Sequence, residues 1–189
     1  MFRRAHAILL LAWALMMSAP AAHAGVAIEL GLSQLATRAR VVVVATPLES
    51  RSMWEQIGDR RRIVTYHRVA TERVVAGKVE GTETWVRCLG GRVGDIGQRV
   101  EGEAVLPKGK RMMLFLVDRA DGTWGVVGMA QGAWMIERGT DGVDRVHAGQ
   151  GRGMLVPNRQ RASARAELVG RTLEEAVARI TAVRASHSR

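Results

Sequence analysis

Short apolar runs broken by glycine and Asp-Gly pairs dominate the middle of the chain. Met112-Met113-Leu114-Phe115-Leu116-Val117 is unbroken, and a turn at Ala120-Asp121-Gly122 leads to Trp124-Gly125-Val126-Val127-Gly128-Met129. Ala133-Trp134-Met135-Ile136 follows Gln131-Gly132. Runs of this length, rich in β-branched and aromatic residues, predict consecutive antiparallel strands. The stretch from Arg111 to Glu137 is therefore expected to be a central meander, with Phe115 and Trp124 filling the interior of a closed sheet.

The same signals recur upstream. Leu30, Leu32 and Leu35 before Ala36-Thr37-Arg38-Ala39 fit a short helix with Ser33 near its start. Arg40 to Thr46, with four successive valines, reads as a strand buried on both faces, and Pro47 limits where it can pair. Residues 48–59 are mixed and end in a Gly58-Asp59 turn. Arg62 to Glu72 alternates imperfectly, which predicts a long strand with a bulge or register change. Val74 to Gly81 closes it, and Thr84-Trp85-Val86-Arg87-Cys88-Leu89 is the next strand. Gly90 to Gln98 is the most glycine-dense part of the chain, and Gln98 to Gly102 after it reads as strand. A Gly139-Thr140-Asp141-Gly142 turn leads into Val143 to His147.

Residues 149–171 read as a Gly- and Arg-rich connector ending a β domain over residues 25–148. A helix over 172–186 closes the chain. Thr172 and Glu175 form a capping box there. Leu173, Ala176, Val177, Ile180 and Val183 share one face, which should dock on the sheet. Strand and helix patterns do not alternate, which excludes a doubly wound α/β fold. The expected fold class is mainly β: a small antiparallel OB-like β-barrel with a short N-terminal helix and a C-terminal amphipathic helix.

The first 24 residues belong to a different category. Arg3 and Arg4 precede an eleven-residue apolar stretch from Ala7 to Met17, and Pro20 and Ala22-His23-Ala24 follow. This is the pattern of a secretory signal peptide, too short to remain as a membrane-spanning helix. The protein is thus expected in the periplasm or outside the cell, with no transmembrane segment in the mature chain. Cys88 is the only cysteine. The exported domain must then stand on packing without a disulfide, with Cys88 as a small buried hydrophobe.

Charge narrows the partners. The formal net charge is +10, and the leader carries two arginines and no acid, leaving +8 without it. Outside the cytosol a basic surface favours an exported acidic protein or an anionic envelope component over nucleic acid. The basic residues are scattered, except for Arg60-Arg61-Arg62 and a looser set at Arg159, Arg161 and Arg165, so part of the excess is ordinary solvated surface.

Candidate chemistry is sparse. The spacing of Gly91, Gly94 and Gly97 matches neither the dinucleotide fingerprint nor the P-loop, and no helix start follows. His67, His147 and His187 have no partner at metal-ligand spacing, and no G-x-S-x-G is present. Glu101 and Glu103 would share a strand face without marking a site. Trp85, Trp124 and Trp134 are expected in the core. No metal, cofactor or catalytic group is expected. The polar residues of the glycine-rich loop, Arg92, Asp95, Gln98 and Arg99, are the candidate ligand-binding set.

One set of motifs carries a resemblance. The order runs from Val41-Val42-Val43-Val44 through Val75-Ala76-Gly77-Lys78, Gly90-Gly91 and Ile96 to Gly102. It continues with Pro107-Lys108-Gly109-Lys110, Leu114-Phe115-Leu116 and Val127 to Gly132. Over roughly Leu32 to Glu137 this resembles a family of uncharacterised exported bacterial proteins. The strand order is also similar to the OB-type barrels of netrin-like domains and tissue inhibitors of metalloproteinases. Those inhibitors act through an N-terminal cysteine placed on the catalytic zinc. Here the mature chain would begin Gly25-Val26-Ala27, so the barrel is implied while that inhibitory mechanism is not. The expected function is an exported non-catalytic binding module, and the alternative is a protease inhibitor or protease-associated factor.

Overall fold

The computed structural model describes residues 26–151, 153–158, 160 and 162–187; the stretch read as a signal peptide lies outside them. The chain opens with β1 (Val26–Ile28) and α1 (Leu32–Arg38), then two seventeen-residue strands, β2 (Val41–Ile57) and β3 (Arg60–Ala76). Next come β4 (Glu83–Leu89), the small hairpin β5 (Gly91–Val93) and β6 (Ile96–Gln98), then β7 (Met112–Asp118) and β8 (Trp124–Val126). A 3₁₀ turn (Met129–Gly132) leads to β9 (Ala133–Arg138) and β10 (Asp144–Ala148), and β11 (Met154–Val156), α2 (Ala164–Leu168) and α3 (Leu173–His187) finish the chain.

The fold is mainly β. Its principal sheet has the order β10-β9-β7-β2-β3-β4-β8, and β8 also pairs with β7. Strands β7, β2, β3, β4 and β8 therefore form a ring of five. All its pairings are antiparallel except the single parallel contact between β4 and β8, Val86 opposite Trp124.

The expected three-strand meander is not what forms. Strand β8 pairs with the C-terminal half of β7, Leu116 opposite Val126. Strand β9 pairs with the N-terminal half of the same edge, Met112 opposite Met135. The 3₁₀ turn, entered through left-handed Gly128 and Met129, carries the chain from one to the other. A side chain on residue 132 would lie 2.4 Å from the Val127 carbonyl oxygen, so only glycine fits that crossing.

Period-two alternation in β2 divides two cores. Val41, Val43 and Ala45 join Val69, Val86, Met112, Leu114 and Leu116 in a cluster to which all five ring strands contribute. Val42 and Val44 point the other way, to Phe115, Trp134 and the helix residues Leu35, Leu168 and Ile180. This explains the unbroken apolar runs: these strands are covered on both faces. It also corrects the expectation for Phe115. That ring is fully buried, but in the layer between sheet and helices, whereas Trp124 packs on the ring cluster.

Strand β2 runs straight through Pro47 because its β7 edge is needed only from Val41 to Ala45. Beyond that it pairs with β3 alone; of the three register shifts along this pair, two lie between Val42 and Ala45 and the last between Pro47 and Glu49. The two strands project as a ribbon to the Gly58-Asp59 turn. Helix α1 starts after Gly31, whose N–H is taken by the Gln34 side chain, and Ser33 lies in its first turn. Helix α3 begins with the reciprocal Thr172–Glu175 hydrogen bonds, and Arg184 donates to the Ala36 and Ala39 carbonyls at the end of α1. Within the stretch read as a connector, β11 pairs in parallel with β1, and α2 precedes α3.

Candidate functional site: a polar cleft beneath the glycine-rich hairpin

The glycine-dense stretch is a hairpin folded back on the β2–β3 ribbon. Val93 opposes Ile96 across a Gly94-Asp95 turn. Gly91 adopts φ +133°, and a Cβ there would lie 2.1 Å from Thr65 Oγ1 and 2.6 Å from Ser52 Oγ. Close approach of backbone to ribbon is what this glycine provides. Thr65 donates to the Gly90 carbonyl at 2.6 Å and exchanges a hydrogen bond with Ser52 at 2.9 Å. The Gly90 N–H reaches the Ile63 carbonyl at 2.8 Å.

The four candidate residues separate. Arg92 is exposed at the hairpin, donating from Nε to the Gly94 carbonyl at 2.9 Å, with its guanidinium 3.9 Å from the solvent-exposed Asp95. Gln98 turns inward, and its side-chain carbonyl accepts the Ile63 N–H at 2.7 Å. Arg99 sits 3.2 Å from Glu101. Gln98 and Arg99 line a cleft of about 550 Å³; Arg92 and Asp95 do not. Of the stretch from Gln98 to Gly102 read as strand, only Gln98 is paired, as the last residue of β6, so Glu101 and Glu103 do not share a strand face. Glu103 instead closes the cleft floor, accepting the Leu89 N–H at 3.2 Å and the Ala104 N–H at 3.0 Å.

Apart from Gln150, the remaining polar wall is Ser50, Ser52, Thr65 and His67. These are two i, i+2 pairs on facing strands, Ser50 opposite His67 and Ser52 opposite Thr65. Sequence reasoning missed them, because the alternate positions Glu49, Arg51, Tyr66 and Arg68 are polar too and leave no apolar–polar alternation to read. Burial holds the His67 imidazole down at about 4, so it is neutral near pH 7. Cys88 also borders the cleft, and burial, reinforced by the Glu103 carboxylate, pushes its thiol far up. The cleft can thus offer hydroxyls, a neutral imidazole and one guanidinium to a ligand.

A second polar cluster lies on the opposite face of the ribbon. Arg87, buried in β4, donates to Glu55 at 2.6 and 3.2 Å and stands 3.8 Å from Asp121, while Tyr66 donates its hydroxyl to Glu55. Desolvation opposes ionisation of Glu55, but the hydrogen bonds from Arg87 and Tyr66 outweigh it and hold the carboxyl below its ordinary value. The tryptophans divide: Trp134 is buried, Trp124 is partly buried, and Trp85 is partly covered by the Arg51 guanidinium at 5.5 Å.

Compared with models of known protein families and with curated proteins, the chain matches none.

Proposed function

We propose that this chain is an exported, non-catalytic binding module. It binds its ligand through the polar cleft and the hairpin above it. The observation that carries this reading is the cleft itself, open to solvent and bounded by hydroxyl side chains, with Arg99 at one side and Arg92 on the adjoining hairpin. Two features favour binding over catalysis. The imidazole there is too weakly basic to take a proton efficiently near neutral pH, and the thiol is held protonated.

The ring of five is read here as an OB-like barrel. Three strands succeed one another, and the last two close the ring in reversed order, which supports a Greek-key barrel. Small barrels of this kind bind through loops and one sheet face. Export rests on the Arg3-Arg4 leader and the Ala22-His23-Ala24 cleavage pattern. The favoured partner is an exported acidic protein or an anionic envelope component.

Affinity capture from the producing cell's envelope and medium tests the proposal, comparing the native chain with an Arg92→Glu, Arg99→Glu variant. A component retained by the native chain and lost by the variant is expected. No component above background, or equal retention by both, would refute it.

A further inference from the structure

One edge of the sheet is left open beside the cleft. On its β7 side, β2 pairs only from Val41 to Ala45. The Gly109 N–H, donating to the Pro47 carbonyl at 2.8 Å, is the last main-chain bond along that edge among the described residues. From Glu49 to Ile57 the strand has β3 on one side and no strand on the other. The bonds of β3 decide which groups are free. Ile63 opposes Trp54, and both its main-chain groups turn away from β2: the N–H to the Gln98 side chain at 2.7 Å, the carbonyl to the Gly90 N–H at 2.8 Å. Such positions alternate along an antiparallel pair with those bonded across it. Ser50, Ser52, Trp54 and Gln56 therefore aim their N–H and C=O groups outward, and Ser50 and Gln56 are exposed. A row of unpaired main-chain groups of this length is a template for another strand. The same edge borders the cleft, since Ser50 and Ser52 line it with His67 and Gln98. Buried side-chain polar atoms without a partner are Thr71 Oγ1 and Trp134 Nε1 among the described residues, so the unpartnered nitrogens of His67 and Gln98 are open to solvent.

We propose that the partner presents an extended peptide segment, which adds antiparallel to β2 from Ser50 to Gln56 and lays alternate polar side chains over the cleft. This rests on the cleft reading above and gives its ligand a form. Main-chain hydrogen bonds supply the attachment in strand addition, and pockets for alternate side chains supply the selectivity. Directly opposed residues of a ladder share a face. The segment's residues facing Ser50 and Ser52 thus reach the cleft mouth, where the His67 imidazole and the Gln98 amide await polar groups. A second copy of β2 would offer the same main-chain groups, but the net positive charge of the chain opposes the approach of two copies and favours an acidic partner's segment.

The test uses the ¹⁵N-labelled native chain and a synthetic peptide, acetyl-Thr-Val-Thr-Glu-Thr-Val-Thr-amide. In the free protein the amides of Ser50, Ser52, Trp54 and Gln56 should exchange with deuterium faster than those of Arg51, Met53 and Glu55, which bond to β3. Millimolar peptide should slow the first set and shift the His67 and Gln98 side-chain resonances saturably. With the threonines opposite the outward residues, N-methylation of the threonine amides should weaken binding about tenfold or more, and N-methylation of the valine and glutamate amides by less than about twofold. The proposal is overturned if the outward amides stay unprotected, if the two methylated peptides bind alike, or if light scattering shows a dimer whose outward amides are already slow. None of these outcomes touches the cleft reading. A component captured by the native chain and lost by the Arg92→Glu, Arg99→Glu variant would still uphold it, so the two fail separately.

Discussion

Two single side chains concentrate electrostatic strain in this fold. Arg87 is a buried cation whose neutralisation depends chiefly on Glu55. Removing one partner of such a pair strands the other charge at low dielectric. Glu55→Ala should therefore lower unfolding free energy by about 3 kcal/mol, read from the urea midpoint; a change under about 0.5 kcal/mol would mean Arg87 is solvated. Because the Glu55 carboxyl is held below its ordinary value, its contribution is complete above that value and is lost as pH falls through the folded one. His67 acts in a higher window. Its folded value, about 4, lies below the unfolded 6.5, so between them the unfolded chain binds the extra proton and stability declines as pH falls. His67→Gln should remove about 2–3 kcal/mol of the loss between pH 7 and pH 4.5. Parallel urea titrations of the two proteins at both pH values check this, and identical slopes against pH would contradict a buried neutral imidazole.

Among the elements, legibility followed the range of the interactions that define them. The terminal helix is specified locally. Its cap, apolar face and end lie within a few residues, and Leu173, Ala176 and Ile180 are buried as the spacing indicates. Thr172→Ala should lower the melting temperature, at a cost of about 1 kcal/mol; an unchanged melting curve would show that tertiary contacts alone hold the first turn. Strand β2 was only half legible. Its valines announce burial on both faces, but continuation from Leu48 to Ile57 depends on pairing with β3, so no local period marks it. The parallel β1–β11 pair joins residues more than a hundred positions apart, and nothing near Met154 signals a partner near Val26. In the hairpin, glycines were legible as tight turns, but the inward turn of Gln98 follows from the Ile63 N–H, a group sequence does not place nearby.

The whole molecule is two apolar layers sharing one sheet, without a covalent staple. Many arginines are engaged: Arg68 with Glu49 and Glu83, Arg111 with Glu72 and Asp144, Arg145 with Asp141, and Arg73 with Glu174. Such exposed pairs contribute about 0–1 kcal/mol each, so they are weak supports for the fold. They do reduce the charge free to steer a partner below the total of +10, and Arg92 and Arg99 stand beside Asp95 and Glu101 in the same way. The most direct test is hydrogen–deuterium exchange of the native chain with and without an envelope and medium extract. The account predicts added protection at Ser50–Ser52, Thr65–His67 and Gly90–Arg99. Unchanged exchange there, or protection confined to the Arg60–Arg62 end of the ribbon, would contradict it.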